Sequence, residues 1–347
     1  MNQTFGINGF GRIGRTSFRV WWQHYRDQFE LKAINTSGSA EIEDWAHLLK
    51  YDTNYGPFAG TITTERHQSK ADVTDTNPVL GTISVDGGAP IVVIAQRDPK
   101  KIPWGQYGVS TVLESTGVFT TAETASGHLE GGAVRVIISA PAKGDAVTTS
   151  VLGVLNADPN AKVISNASCT TNCVAPVAQI MVAKFGVEKA MLTTVHSYTD
   201  DQNTQDNSHK DMRRARSAAE NIVPTTTGAA KTTAEVVPEL RGLFDGLSIR
   251  VPTATGSISD MTFLVKRDTT IEEVNQVFIE ASQDPRWQNI LAVTNEPLVS
   301  SDIIGRRESS IVDLGLTNVI GGNLVKVVSW YDNEWGYCNR LIEQVGQ

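Results

Sequence analysis

The turn after the first strand constrains this chain more than any other feature. Thr4 to Asn8 reads as a short strand, and it runs into Gly9-Phe-Gly11-Arg12-Ile13-Gly14. Phe18, Trp21, Trp22 and Tyr25 follow at helical spacing. Glycines at this spacing, with a strand before and a helix after, suit a pyrophosphate. They allow a tight turn, close backbone approach to the phosphates, and close helix–strand packing. A second strand, Glu30 to Asn35, comes at the expected distance. The first half therefore reads as a doubly wound, mostly parallel sheet that binds a dinucleotide.

More sheet segments continue the pattern: Gly81 to Asp86, Pro90 to Ala95, Ser110 to Glu114, and Val134 to Ser139. Ser115-Thr116-Gly117 and Ser139-Ala140-Pro141 end two of them with small residues, which lets a flat cofactor lie across the sheet edge. An NAD-preferring site wants an acid at the end of the second strand, for the adenosine ribose hydroxyls. The chain has Asn35-Thr36-Ser37-Gly38 there, and Glu41, Glu43 and Asp44 come only later. Hydroxyls in place of a carboxylate remove the charge that repels a 2′-phosphate. The competing reading has one of the later acids folding back over the ribose.

Chemistry concentrates at Ser168-Cys169-Thr170-Thr171-Asn172-Cys173. The segment follows a buried-type strand, Ala161 to Asn166, and precedes an apolar helical run, Val174 to Phe185. Cys169 thus falls at or near a helix N-terminus, where free N–H groups and the helix dipole favour a thiolate. Neighbouring hydroxyls suit an oxyanion or a phosphate. A further strand alternates Met191, Thr193 and Val195 against Leu192, Thr194 and His196. Its end presents His196, and a thiol with an imidazole is the minimal nucleophilic pair. A polar stretch then runs to about Pro224, longer than ordinary connections. Thr225-Thr226-Thr227-Gly228 opens a helix at Ala229, a start that suits an anion. From Gly256 the pattern alternates as in an antiparallel sheet. A helix fits about Thr270 to Gln283, and the tail from Glu334 reads as a helix.

Composition excludes several classes. A length of 347 residues allows two domains, and 40 % apolar with 20 % charged residues is ordinary for a globular protein. No apolar run reaches the roughly 20 residues that span a bilayer. The net charge of −8 argues against nucleic-acid binding. Three cysteines build no disulfide framework, and no zinc-type spacing is visible, so no metal is expected. The chain reads as cytoplasmic.

With these residues in view, the chain resembles the phosphorylating glyceraldehyde-3-phosphate dehydrogenases over nearly its whole length. The resemblance rests on Ile7 to Gly14, His47 to Asp52, Arg97-Asp98-Pro99, Glu114 to Phe119, Ser139 to Lys143 and Ser165 to Cys173. It continues in His196 to Thr199, Arg213 to Arg216, Pro224 to Lys231, Arg250 to Thr253 and Tyr331 to Tyr337. It implies an α/β fold: a Rossmann-type dinucleotide-binding domain over 1–168, joined by the C-terminal helix of about 334–347. An α+β catalytic domain with a mostly antiparallel sheet would occupy 169–333, including a long S-shaped loop over about 198–224.

The resemblance also implies roles. Cys169 would be the nucleophile and His196 its base. Gly9, Gly11, Arg12, Ile13, Arg97, Ser115, Thr116, Gly117, Ser139 and Asn333 would hold the dinucleotide. Thr199, Asp201 and Arg250 would serve the C3 phosphate of glyceraldehyde 3-phosphate. Ser168, Thr170, Arg214, Thr227 and Gly228 would bind the attacking inorganic phosphate. The implied reaction passes through a hemithioacetal and a thioester to 1,3-bisphosphoglycerate, in glycolysis, gluconeogenesis or a reductive carbon cycle, and the implied assembly is a homotetramer. Two departures point to use of both NAD and NADP. The acid after the second strand is absent, leaving Thr36 and Ser37. The S-loop carries Asn207-Ser208 where NAD-specific relatives have Leu-Pro, so Ser208 from a neighbouring subunit joins the expected 2′ pocket. Erythrose-4-phosphate dehydrogenases are similar in fold but usually lack the Thr-Thr-Gly and Tyr-Thr elements present here. A nonenzymatic, dinucleotide-responsive binding protein would not need Cys169, His196 and the anion residues.

Overall fold

The computed structural model describes residues 3–144 and 146–347. It divides into two compact units. One holds the chain up to Ser150 with Ala157–Ala167 and Cys338–Gln347; the other holds Val151–Asn156 and Ser168–Tyr337.

The first unit is built on a sheet of nine strands: β1 (Gln3–Asn8), β2 (Phe29–Thr36), β5 (Ile62–Arg66), β6 (Val79–Val85), β7 (Ile91–Ala95), β8 (Thr111–Glu114), β9 (Arg135–Ile138), β10 (Thr148–Thr149) and β11 (Val163–Ser165). A separate two-residue pair, β3 (Tyr51–Asp52) and β4 (Gly56–Pro57), lies off it. The spatial order is β10-β11-β9-β8-β1-β2-β7-β6-β5. The run from β7 to β10 is parallel, while β5 and β6 add antiparallel strands at one edge. The order reverses at β1, whose neighbours are β2 and β8, and ligands of doubly wound sheets bind at such a switch point. Val93 and Ile94 point to opposite faces and join separate apolar clusters, one with Ile42 and Leu80, the other with Trp104 and Val112. Both faces of this part of the sheet are therefore covered.

Helix α1 (Arg12–Val20) follows the glycine turn and continues as one π-helical turn, Trp21–Tyr25. The wider turn keeps Trp21 and Tyr25 buried. Residues 42–50 carry no helix in the sequence reading. They form α2 (Ile42–Lys50), at whose start the Asp44 carboxylate accepts the Glu41 backbone N–H (3.0 Å). The acids weighed as ribose ligands are helix-starting residues, placed where the dipole favours them. Short helical turns α3 (Ala122–Ala125) and α4 (Gly127–Glu130) follow β8.

A buried polar chain crosses the carboxyl ends of the central strands. Asn35 Nδ2 donates to Asn8 Oδ1 (2.7 Å), and Asn8 Nδ2 donates to Glu114 Oε2 (2.5 Å). His128 Nε2 meets the same carboxylate oxygen at 2.9 Å. Trp104 Nε1, a donor only, reaches His128 Nδ1 at 3.0 Å. Nδ1 must accept, so the imidazole N–H is on Nε2 and points at Glu114. The other carboxylate oxygen accepts from the N–H of Thr116 (2.8 Å) and from its hydroxyl. This chain fixes the loop that leaves β8.

The second unit holds α5 (Cys169–Phe185), β12 (Val187–Ser197), β13 (Val223–Thr226), α6 (Ala229–Val236), β14 (Phe244–Val251), β15 (Ser257–Val265), α7 (Ile271–Gln283), β16 (Leu291–Thr294), β17 (Ser310–Asp313), β18 (Asn318–Ile320) and β19 (Leu324–Tyr331). Its sheet runs β13-β14-β12-β15-β19-β17-β16, with β18 beside β19. Most pairs are antiparallel; β12–β14 and β16–β17 are parallel. The last helix, α8, spans Trp335–Glu343.

Removing His128 would strip Glu114 of its imidazole donor in a site where both side chains are at most 1 % exposed. We expect His128→Ala to lower stability by about 3 kcal/mol, the scale of the lost buried hydrogen bonds, a Trp104 N–H left without its acceptor, and the cavity. Urea denaturation checks this; a loss under about 1 kcal/mol would contradict the network's role.

Candidate active site

The first unit carries the features of a nucleotide cradle. Gly11 caps α1 with no side-chain hydrogen bond, and no acid lies in the first turn, so no side chain closes this helix start against an anion. A Cβ on Gly11 would meet nothing within 4 Å, so the turn opens outward there. A Cβ on Gly9, at φ +92°, would strike the Ser115–Thr116 backbone at 2.9 Å, and one on Gly14 would fall 2.0 Å from the Gly9 carbonyl. Gly9 and Gly14 therefore each have a separate steric reason, whereas no protein atom crowds Gly11. The Ser115 N–H is tied to the Asn8 carbonyl (2.7 Å), while its buried Oγ has no partner. A bound dinucleotide would supply one. Gly117, at φ +71°, continues this loop, and the Ser139 N–H bonds the Glu114 carbonyl (2.9 Å), which fixes the end of β9 beside it. Arg12 is paired with Asp52 (2.6 Å), and the Ile13 carbonyl accepts from Cys338. Arg97 is exposed at the end of β7.

One expectation about this end needs correction. The Thr36 side chain is 1 % exposed; its hydroxyl donates to the Ile94 carbonyl (3.2 Å) and accepts from the Gly38 N–H (3.3 Å). Its hydroxyl shapes the turn and does not face a ligand. Nor does a later acid fold back. Glu41 accepts from Ser69 Oγ (3.0 Å) and the Lys70 N–H (3.1 Å), Asp44 from the Glu41 N–H (3.0 Å), and Glu43 from Arg66 (2.6 and 3.0 Å). Ser37 is exposed, its Oγ 2.9 Å from Ser39 Oγ.

In the second unit Ser168 caps α5, its Oγ accepting the Thr171 N–H at 3.0 Å, and Cys169 is the first helical residue. Ala167, just before the cap, takes a left-handed φ of 55°, a strained choice for a residue with a Cβ. Cys169 is the one cysteine not fully buried. Its Sγ lies 3.3 Å from His196 Nε2. His196 Nδ1 is 2.6 Å from the Ser197 carbonyl, which only accepts, so Nδ1 carries its proton and Nε2 is left to take one from the thiol. Cys173 is different: burial pushes its thiol up to about 12, and its Sγ faces Ser310 and the Ser329 carbonyl.

Register sets the charge beside this pair. β12 and β14 run parallel with His196 opposite Arg250. Arg250 Nη1 donates to Thr199 Oγ1 (2.7 Å), and its buried Nε has no partner. An anion would satisfy it. Taken singly, neither charge of the pair is favoured. Burial pushes the Cys169 thiol up, with Arg250 and Thr170 pulling it back; burial, then Arg250, hold His196 down to about 3. Moving the proton from Sγ to Nε2 makes both charges at once, in contact, and their attraction offsets part of that penalty.

The remaining expected anion residues divide. Asp201 accepts from Thr199 Oγ1 and from Arg214 Nη1 (2.6 Å). A carboxylate repels phosphate, so Asp201 orients Thr199 and Arg214 and does not itself bind the anion. Arg214 Nε also donates to Thr225 Oγ1 (3.0 Å). Thr227 Oγ1 accepts from the Ala229 N–H (3.2 Å), and Gly228 caps α6 with no side-chain bond. The Thr170 hydroxyl is buried against Tyr331 OH (2.9 Å), which leaves only its backbone for a ligand. Tyr331 has no role in the sequence reading. It is 1 % exposed, bonds Thr194 Oγ1 as well (2.9 Å), and sets its ring edge-on to His196 at 5.9 Å. Its position depends on a distant strand, and the sequence marks it only as the first residue of the Tyr331–Tyr337 segment. Asn333 Oδ1 accepts from the Gly256 N–H (3.1 Å) and Ser257 Oγ (2.8 Å), committing its oxygen inward. Ser208 is exposed on the loop after Thr199. Among the described residues no cluster of His, Cys, Asp and Glu is placed to hold a metal ion. No described helix is long and apolar enough to cross a membrane.

A glycine turn at the switch point of one unit and a thiol against an imidazole in the other define a nucleotide-dependent oxidoreductase. The comparisons narrow the class. The family model for the glyceraldehyde 3-phosphate dehydrogenase NAD binding domain matches residues 3–122, and that for its C-terminal domain matches residues 168–333. A glyceraldehyde-3-phosphate dehydrogenase of Streptomyces coelicolor is 50 % identical over 341 residues, covering 97 % of this chain and 96 % of its own. One from Zymomonas mobilis is 47 % identical over 343 residues (98 % and 97 %), and one from Geobacillus stearothermophilus 48 % over 341 (97 % and 96 %). The chain belongs to the glyceraldehyde-3-phosphate dehydrogenase family.

The thiol–imidazole pair holds one proton near neutral pH, whichever atom carries it. A second is resisted until about pH 3, whereas an unfolded histidine titrates near 6.5. As pH falls below 6.5, the unfolded state binds a proton the folded state refuses, so stability present above 6.5 is lost toward pH 3. We expect the acid limb of urea stability to be steeper in wild type than in His196→Asn, by up to about 1.4 kcal/mol per pH unit. Parallel limbs would contradict the buried neutral assignment.

Proposed function

We propose that this chain oxidises D-glyceraldehyde 3-phosphate to 1,3-bisphosphoglycerate, with NAD or NADP as hydride acceptor and inorganic phosphate as acyl acceptor. The observation that carries the proposal is Cys169 Sγ at 3.3 Å from His196 Nε2, with Arg250 opposite His196 in the sheet register. Cys169 adds to the aldehyde carbon while Nε2 takes the thiol proton. The alkoxide formed on the former aldehyde oxygen takes that proton back from Nε2, and the resulting hemithioacetal hydroxyl then gives it up to the same, again neutral, nitrogen as the hydride leaves. The nicotinamide, when bound, supplies the hydride acceptor. The carbon is then held on Cys169 as a thioester, and attack by phosphate releases the acyl phosphate and returns the thiolate.

Both phosphorylated partners need cationic seats. Arg250 with Thr199 serves the substrate's C3 phosphate. Arg214, Gly228, Thr227 and the backbone at Ser168 and Thr170 serve the attacking phosphate. Gly9, Gly11, Arg12, Ile13, Arg97, Ser115, Thr116, Gly117, Ser139 and Asn333 serve the dinucleotide. A homotetramer in the cytoplasm is the proposed setting, with Ser208 reaching a neighbour's cofactor.

The committed positions of Glu41, Glu43 and Asp44 support dual cofactor use, since no carboxylate is aimed at the end of β2. Initial rates with glyceraldehyde 3-phosphate test the proposal as a whole. Turnover should need phosphate, and NADP should run within about tenfold of NAD, a difference of about 1.4 kcal/mol or less. Phosphate-independent turnover would overturn the acyl-transfer step. Selectivity for NAD beyond about a thousandfold, roughly 4 kcal/mol, would overturn dual use.

A further inference from the structure

The connection between β5 and β6 lies against the loops that leave β2 and β7. Residues 70–72 form a short helical turn. Ser69 Oγ and the Lys70 N–H both bond the Glu41 carboxylate (3.0 and 3.1 Å), which pins the turn beside the end of β2. Asp75 bonds Gln96 Nε2 (3.1 Å) and Lys101 Nζ (2.5 Å), which pins the rest of the connection beside the end of β7. Lys70 is thereby carried to the Ser37–Gly38–Ser39 turn, where Nζ donates to the Ser39 carbonyl at 2.9 Å.

That ammonium and the exposed Arg97 guanidinium are the cations of this edge that stand outside an ion pair among the described residues. Arg66 is spent on Glu43, and Lys101 on Asp75. Among the described residues Lys70 forms no ion pair, and its one bond goes to a neutral carbonyl. Two of an ammonium's three donors are left. Beside it, the Ser37 and Ser39 hydroxyls bond only each other (2.9 Å) and face outward. A cation with free donors and two exposed hydroxyls within one short turn match a phosphomonoester dianion. An unphosphorylated ribose offers Lys70 no charge to meet.

We propose that Lys70 is the specificity-determining residue for the adenosine 2′-phosphate of NADP, acting with the hydroxyls of Ser37 and Ser39. The proposal deepens the dual-cofactor reading and rests on it. It assigns the key cation to a segment far along the chain from the β2 turn.

Calorimetric titration of the full-length protein with NADPH and with NADH tests it without turnover. Lys70→Gln should weaken NADPH binding about tenfold and change NADH binding less than twofold; Lys70→Arg, which keeps the charge, should restore most of the NADPH affinity. Equal loss for both cofactors would make Lys70 a prop for the turn, and no loss for either would remove it from the site; each overturns the proposal. Wild-type protein that binds NADH more than a thousandfold tighter than NADPH would instead remove the dual-cofactor reading, and this inference with it. Because Lys70 lies on an exposed turn and makes one side-chain bond, the variants should fold.

Discussion

The chemistry of this protein depends on one register: β12 and β14 run parallel with His196 directly opposite Arg250. That pairing puts a fixed positive charge next to an imidazole in a buried setting. Burial first, and then this charge, resist a second proton on His196; burial pushes the Cys169 thiol up, and the same charge pulls it back toward a thiolate. A one-residue slip would turn Arg250 to the opposite face of the sheet and leave the pair without its cation. The neighbouring strands reinforce the register. β15 pairs β12 antiparallel, β19 pairs β15, and Tyr331 at the end of β19 bonds both Thr194 and Thr170. The tyrosine thus ties the strand that carries the base to the helix start that carries the sulfur.

The first unit uses a comparable device for a different purpose. Its buried chain from Asn35 through Asn8 to Glu114 and His128 holds the ends of adjacent strands in fixed positions. Glu114 then uses its second oxygen on Thr116, and so orders the loop whose Ser115 hydroxyl is left unpartnered. Polar groups with hydrogen-bonding capacity left open and polar groups that hold the frame are adjacent in sequence here. The pattern recurs at Thr36 and Ser37: one hydroxyl turns in to shape a turn, and the next turns out.

Much of this was legible in the sequence because it is local. The glycine turn, the cap at Ser168, the helix after Cys169 and the end-of-strand His196 each follow from a few neighbouring residues. What the sequence hid is non-local. β14 carries Asp245, Gly246 and Ser248 inside a short run, so its alternation is weak, and its pairing with β12 could not be read. α2 carries no helix in the sequence reading, where Glu41, Glu43 and Asp44 are weighed only as acids for the ribose; the bond from the Glu41 N–H to Asp44 is seen only in the structure. Tyr331 and Lys70 act on residues far away in the chain. Asp201 was read together with Thr199 and Arg250 as a phosphate residue, and only its bonds separate an orienting acceptor from a binding group.

The central claim is that Cys169, and neither other thiol, carries the acyl group. Intact-protein and peptide mass spectrometry can read this directly, after mixing the protein with glyceraldehyde 3-phosphate and NAD in phosphate-free buffer. The account predicts a phosphoglyceryl adduct on the peptide holding Cys169, discharged when phosphate is added. Cys173 should stay unmodified, since burial pushes its thiol up to about 12. Oxidation of the aldehyde with the adduct on Cys173 or Cys338, or with no adduct that phosphate removes, would contradict it.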